Sequence, residues 1–234
     1  MTLLLALLAA SLSFTLSASA GMGGSLILVP ILSLLLGAKQ GVALSALLLS
    51  CNNVAKLIAY RHTVPLKPAL LVLLLTVAGS ALGARLLVAA PENLVHIAII
   101  ASLSAAFLLE RVKFNRLSQR ASPLAAFFAG ATSGFSGTSG PLKGLALRSL
   151  SLDRLHFIGA ASAVSLAGDL MKTAVFASAS LLDETAWRVM LLAIPLMLLA
   201  ALAGRQINTR IGERAFAGLF WTVMAGYSLR LILP

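Results

Sequence analysis

Asp169 and Lys172 stand three positions apart in an apolar stretch of the chain, and Asn53 and Lys56 repeat that spacing 116 positions earlier. Residues at i and i+3 share one face of a helix, so each pair can act together. An ionisable side chain in an apolar helix is expensive unless it serves a pathway or a partner. Ammonium groups held there would attract a small anion, with Asn53 and Asp169 positioning them. Two plainer readings stay open: Asp169 and Lys172 as a structural ion pair, and Lys56, four residues before Tyr60, as a side chain reaching for the interface. Lys143 is a third candidate cation, with interfacial placement as its alternative. Asn52 and Asn53 suit a ligand or a neighbouring helix equally well.

Little else in the sequence could carry chemistry. Asp169 is the one acid inside an apolar segment, so paired-carboxylate catalysis has no candidates. His62, His96 and His156 are far apart, and Cys51 is the sole cysteine. No catalytic residue, metal site or disulfide is therefore expected. No glycine-rich nucleotide loop of the Walker type occurs, and no cofactor is expected.

Glycine clusters supply the second kind of candidate. Gly21-Met22-Gly23-Gly24 and the stretch from Gly134 to Pro141 interrupt two apolar regions, 3–36 and 121–150. The piece after the first cluster is about twelve residues long, a rise of ~18 Å against a hydrocarbon core of ~30 Å. Each region is expected to be two half-helices meeting at a break. Backbone N–H groups freed there need protein, water or a ligand, because lipid offers no acceptor. Half-helix N-termini near Ser25 and Pro141 would carry partial positive charge, so Gly23, Gly24, Ser25, Ser136, Gly137 and Gly140 become candidate anion contacts. Close packing of helices through small residues is the plain alternative.

The elements that must hold these residues follow from composition. The chain has 234 residues, 59% hydrophobic and 11% charged, with a mean hydropathy of +0.99. Soluble domains keep about a quarter of their residues charged. Full spans are predicted at 41–60, 66–88, 93–110, 155–178, 186–207 and 213–232. The net charge of +11 lies mostly between these segments, which is membrane sidedness rather than a nucleic-acid surface. Arg61, Lys67, the 111–120 linker, Arg148, Arg154 and the 205–214 loop go to the cytoplasm. Glu92, Asp183 and Glu184 go outside, with Lys39 as an exception. Arg85 and Arg205 are expected to anchor span ends. The apolar run at residues 3–16 has no basic residue before it, so retention is expected rather than cleavage.

The expected fold is an all-α integral membrane protein of two inverted repeats. Each repeat is a re-entrant broken-helix pair plus three transmembrane helices. The first covers 1–112, a basic linker covers 113–120, and the second covers 121–234. Ala81-Leu82-x-x-Arg85 recurs as Ala201-Leu202-x-x-Arg205, and three crossings, an odd number, invert the second half. Inverted repeats are a transporter plan, with the substrate at the repeat interface near the midplane.

Gly21-x-Gly23-Gly24-x5-Pro30 and Ser133-Gly134-x2-Gly137-x2-Gly140-Pro141 resemble the paired signatures of the TauE/SafE sulfite-exporter family, over nearly the whole chain. Ser25 departs from them, standing where the family often continues its glycine run. The resemblance implies export of sulfite or a related organosulfur anion across a bacterial inner membrane. The expected function is secondary transport of a small oxyanion, with an anion channel of similar architecture as the alternative. Expected partners are the anion and membrane lipid, with no nucleic acid; homo-oligomerisation stays open.

Overall fold

The computed structural model describes residues 2–20, 24–111 and 122–207. Among them the chain is helical, with no strand: α1 (Thr2–Ala20), α2 (Gly24–Leu36), α3 (Ala38–Ala59), a 3-10 turn (Arg61–Thr63), α4 (Leu66–Ala89), α5 (Glu92–Arg111), α6 (Ser122–Ser136), α7 (Gly140–Arg148), α8 (Arg154–Ser178) and α9 (Glu184–Ile207). The expected spans at 41–60, 66–88, 93–110, 155–178 and 186–207 correspond to α3, α4, α5, α8 and α9. The span at 213–232 and the linker at 113–120 lie outside the described residues. By length and composition, two described helices qualify as membrane spans: Ala38–Ile58 and Leu66–Ala89, with mean hydropathies of 1.5 and 2.1. In α8 the charges of Asp169 and Lys172 and a run of Ala, Ser and Gly lower the hydropathy of a 25-residue helix.

Both breaks form, and the helix after each is short: α2 has 13 residues and α7 nine, while α1 before the first break has 19 and α6 before the second 15. One boundary needs correction: α6 continues through Gly134 and Phe135 to Ser136, so the second break is only residues 137–139. The reason is close packing of α6 along α4. A Cβ at Gly79 or Gly83 would collide with the backbone of Phe127 or Ala131, and one at Gly130 or Gly134 with the backbone of Thr76 or Ser80. Two reciprocal Gly-x3-Gly stripes thus let the backbones touch, as small residues do between membrane helices.

The outer faces are the opposite. Helix α4 buries Thr76, Gly79, Ser80, Gly83 and Ala84 and exposes Leu70, Leu71, Leu74, Leu82 and Leu86. Small and polar inside with leucine outside suits a helix whose solvent is lipid.

Proline and glycine set the corners. Pro65 precedes α4, Pro91 precedes α5 and Pro141 opens α7, where a missing N–H costs nothing. Gly37, at φ +93°, joins α2 to α3. Glu92 Oε1 accepts from the Lys39 backbone N–H at 3.1 Å, in the first turn of α3. Lys39 Nζ donates to the Val88 carbonyl at 2.9 Å, in the last turn of α4. Lys39, the exception to the charge rule, is engaged in capping.

Helix boundaries recur at a constant interval. Helices α1 and α6 end at Ala20 and Ser136, α2 and α7 begin at Gly24 and Gly140, and α3 and α8 begin at Ala38 and Arg154; each pair differs by 116. Packing follows the same correspondence. Helix α4 lies along α6 as α9 lies along α1, and α2 lies on α3 as α7 lies on α8. Helices α3 and α8 pack against each other.

Candidate functional site

Asn53 lies six positions before the end of α3, among apolar neighbours that hold the helix in the core. Its Nδ2 donates to Asp169 Oδ2 of α8 at 2.7 Å. One turn away, the hydroxyls of Ser50 and Thr173 are 3.3 Å apart. The contact advances along α3 while retreating along α8, so the two helices run antiparallel. The other Asp169 oxygen, Oδ1, takes Lys172 Nζ at 2.7 Å. Lys172 Nζ also donates to Ser133 Oγ of α6 at 2.9 Å. Asp169 is 7% exposed and Lys172 1%. The i, i+3 pair anticipated from spacing therefore forms, and it is buried.

Two further lysines approach. Lys143 of α7 donates to Ser165 Oγ of α8 at 2.8 Å. Lys56 lies within electrostatic reach of Lys143 and Asp169. Lys143 is likewise within reach of Asp169 and Lys172. Among the described residues three lysines thus lie near one carboxylate, a formal excess of positive charge. Excess charge of one sign in a low-dielectric interior is costly, and an anion relieves it.

The half-helices reach the same level. Gly41 of α3 abuts the backbone of Ser33 and Leu32 in α2. From that contact α3 runs ~18 Å to Asn53 and α2 runs back ~14 Å to Gly24, about one turn short. From the Lys143–Ser165 contact, α7 runs back ~4.5 Å to Gly140 and α8 runs on ~6 Å to Asp169. The positive ends of α2 and α7 therefore stand near the crossing of α3 with α8. Gly24 is buried, and its carbonyl accepts from Ser13 Oγ of α1 at 2.6 Å. Ser25 beside it is partly buried.

Residues 5–231 match the family model described as sulfite exporter TauE/SafE. The chain belongs to this family. No curated protein and no solved structure matches it. TauE/SafE members are membrane transporters, which makes this chain a membrane anion transporter.

Not every anticipated residue of this TauE/SafE protein reaches the crossing. Gly23 lies outside the described residues. Ser136 turns its hydroxyl back to the Thr132 carbonyl at 2.8 Å. Gly137 needs its φ of +79° and faces Val29, where a Cβ would lie 2.7 Å from Cγ2, and Val42. Val42 is ~16 Å along α3 from Asn53, so Gly137 joins the second break to the first half of the chain away from the lysines. Of the two parts open to Asn53, the structure shows the contact to a neighbouring helix, with Nδ2 donating to Asp169 of α8.

Sequence reasoning passed over Ser133 and Ser165 as lysine partners, and Ser50 with Thr173. Single hydroxyls in a Ser-rich apolar chain carry no distinguishing local signal. Asn52 is 2% exposed, and its Nδ2 has no partner among the described residues. Among those residues no cluster of three metal-ligating side chains occurs.

Proposed function

We propose that this protein is a secondary transporter that exports a small oxyanion, sulfite or a related organosulfur anion, from the cytoplasm of a bacterium. The carrying observation is the cluster of buried Lys172 with part-buried Lys56 and Lys143 about Asp169 at the α3–α8 crossing. Its formal positive excess suits a ligand of negative charge. Asn53 and the starts of α2 and α7 at Gly24 and Gly140 supply N–H donors of the kind that bind oxyanions. Ser25 belongs to the same helix start, Gly23 precedes it in sequence as a further candidate, and Ser136 and Gly137 shape the opposite break.

Residues 1–112 and 121–234 are two inverted repeats around this site. The interval of 116 shared by the ends of α1 and α6, the starts of α2 and α7 and the starts of α3 and α8, with the matched packing of α4 on α6 and α9 on α1, supports the repeat. The antiparallel crossing of α3 with α8 supports the inversion. The basic 111–120 linker lies in the cytoplasm and both termini lie outside. Alternating access rocks one repeat against the other across the crossing.

Counterflow in proteoliposomes tests this reading. Vesicles loaded with sulfite should take up labelled sulfite or thiosulfate saturably, and sulfate and alkanesulfonates in the same panel rank the anions. Flux that never saturates and shows no counterflow would instead make the protein a channel.

A further inference from the structure

The two halves match at Lys56 and Lys172 but differ at the residue that touches across them. Position 53 carries an amide, and its counterpart 116 residues on carries the carboxylate of Asp169. Both carboxylate oxygens are engaged, Oδ2 by Asn53 and Oδ1 by Lys172. Two carboxylates at this contact would repel, and two amides would bring no negative charge to Lys172. The groups facing Asp169 are Asn53 and Lys56 from α3, Lys143 from α7, Ser133 from α6 by way of Lys172, and Lys172 from α8 itself. Beside Gly168, helix α4 brings the Ser80 hydroxyl and the Thr76 methyl. Glu92, Asp153, Asp183 and Glu184 are exposed.

Resting on the site proposed above, we infer that the Asp169 carboxylate is a built-in anion that holds Lys172 itself and yields it to the transported anion. A carboxylate and an oxyanion offer an ammonium group the same charge-assisted hydrogen bond. Exchanging one for the other keeps Lys172 paired at every stage, which matters for a cation 1% exposed. The tethered competitor also loosens binding. A transport site must bind strongly enough to load and weakly enough to release. Lys56 and Lys143 lie on the cytoplasmic side of the crossing and Lys172 on the outer side, so an outward-moving anion meets Asp169 as it passes between them.

Asp169→Asn removes the charge while keeping the size and an oxygen for the Asn53 amide. Purified full-length protein is titrated calorimetrically with sodium sulfite, sulfate and thiosulfate, and counterflow is measured in proteoliposomes. The variant should bind its best anion at least tenfold tighter than wild type, about 1.4 kcal/mol, and exchange it more slowly. Equal or weaker binding by the variant, with wild-type binding intact, overturns the inference alone. Wild-type protein that binds none of the three anions overturns the proposed site, and the inference falls with it. A readout on wild type covers the case in which the variant does not fold. Addition of the bound anion should shift a carboxylate stretching band in the infrared difference spectrum, and an unchanged carboxylate region overturns the inference.

Discussion

Asn53 Nδ2 and Asp169 Oδ2 are 2.7 Å apart across 116 positions of sequence, the same interval that separates the starts of α2 and α7 and of α3 and α8. Equivalent residues of a two-fold repeat touch each other only near the axis that relates them. The contact therefore marks where the proposed inverted repeats meet, and the lysines around it are the first groups to test.

Lys172→Met and Lys143→Met should each weaken equilibrium anion binding by roughly 30-fold or more. Truncating one member of a desolvated charged set costs ~2–5 kcal/mol, and 1.4 kcal/mol is about a decade. Lys56→Met should weaken it in the same direction, and Lys67→Met, at an exposed residue in the first turn of α4, should not. Titration of variants matched for thermal stability is the check. Binding within about threefold of wild type in all three would leave the lysines a structural role.

The α4–α6 seam should tolerate no side-chain growth. Gly83→Val and Gly130→Val would force a branched side chain into the facing backbone, so both should lose folded protein in detergent. Gly144→Ala meets nothing within 4 Å and gains helix propensity of about 1 kcal/mol, so its melting temperature should hold or rise. Size-exclusion profiles and thermal melts decide. A monodisperse Gly83→Val protein with wild-type stability would contradict the seam.

Gly137→Ala should destabilise the protein by about 1–2 kcal/mol, since an L-residue at φ near +79° meets its own backbone. The added methyl also presses on Val29. Val29→Ala in the same background should return only the part due to that contact. Full restoration of the melting temperature would mean that the positive φ costs little here.

Sidedness is open to cysteine labelling in a Cys51→Ala background. Ser151→Cys and Lys67→Cys should react with a membrane-impermeant maleimide only from the cytoplasmic face, and Asn93→Cys and Ser180→Cys only from outside. Labelling of positions 151 and 93 from one face would defeat the inverted arrangement. Lys39→Ala should cost stability without reversing orientation, because Lys39 Nζ is bound to the Val88 carbonyl.

Much of this architecture could be read from the order of residues. Long apolar runs bounded by proline and charge locate α3, α4, α5, α8 and α9, since helix formation in lipid depends on local hydropathy and length. The short α2 and α7 follow from the distance between a glycine cluster and the next charged loop. The matched spacing of Asn53 with Lys56 and Asp169 with Lys172 is visible too, and the Asp169–Lys172 pair needs nothing beyond helical geometry. The 116-residue interval can be noticed before any fold is known.

What required tertiary structure is every relation between helices. Gly134 reads as part of a break but serves as a seam, because a glycine's role depends on the backbone that faces it. Ser133 and Ser165 are ordinary serines until α8 brings Lys172 to Ser133 of α6 and α7 brings Lys143 to Ser165 of α8. The sequence shows that Asn53 and Asp169 are equivalent in spacing, yet not that they touch. That contact depends on where two antiparallel helices cross, and a crossing point is chosen by the packing of whole faces, in which each residue's own neighbours in sequence have almost no say.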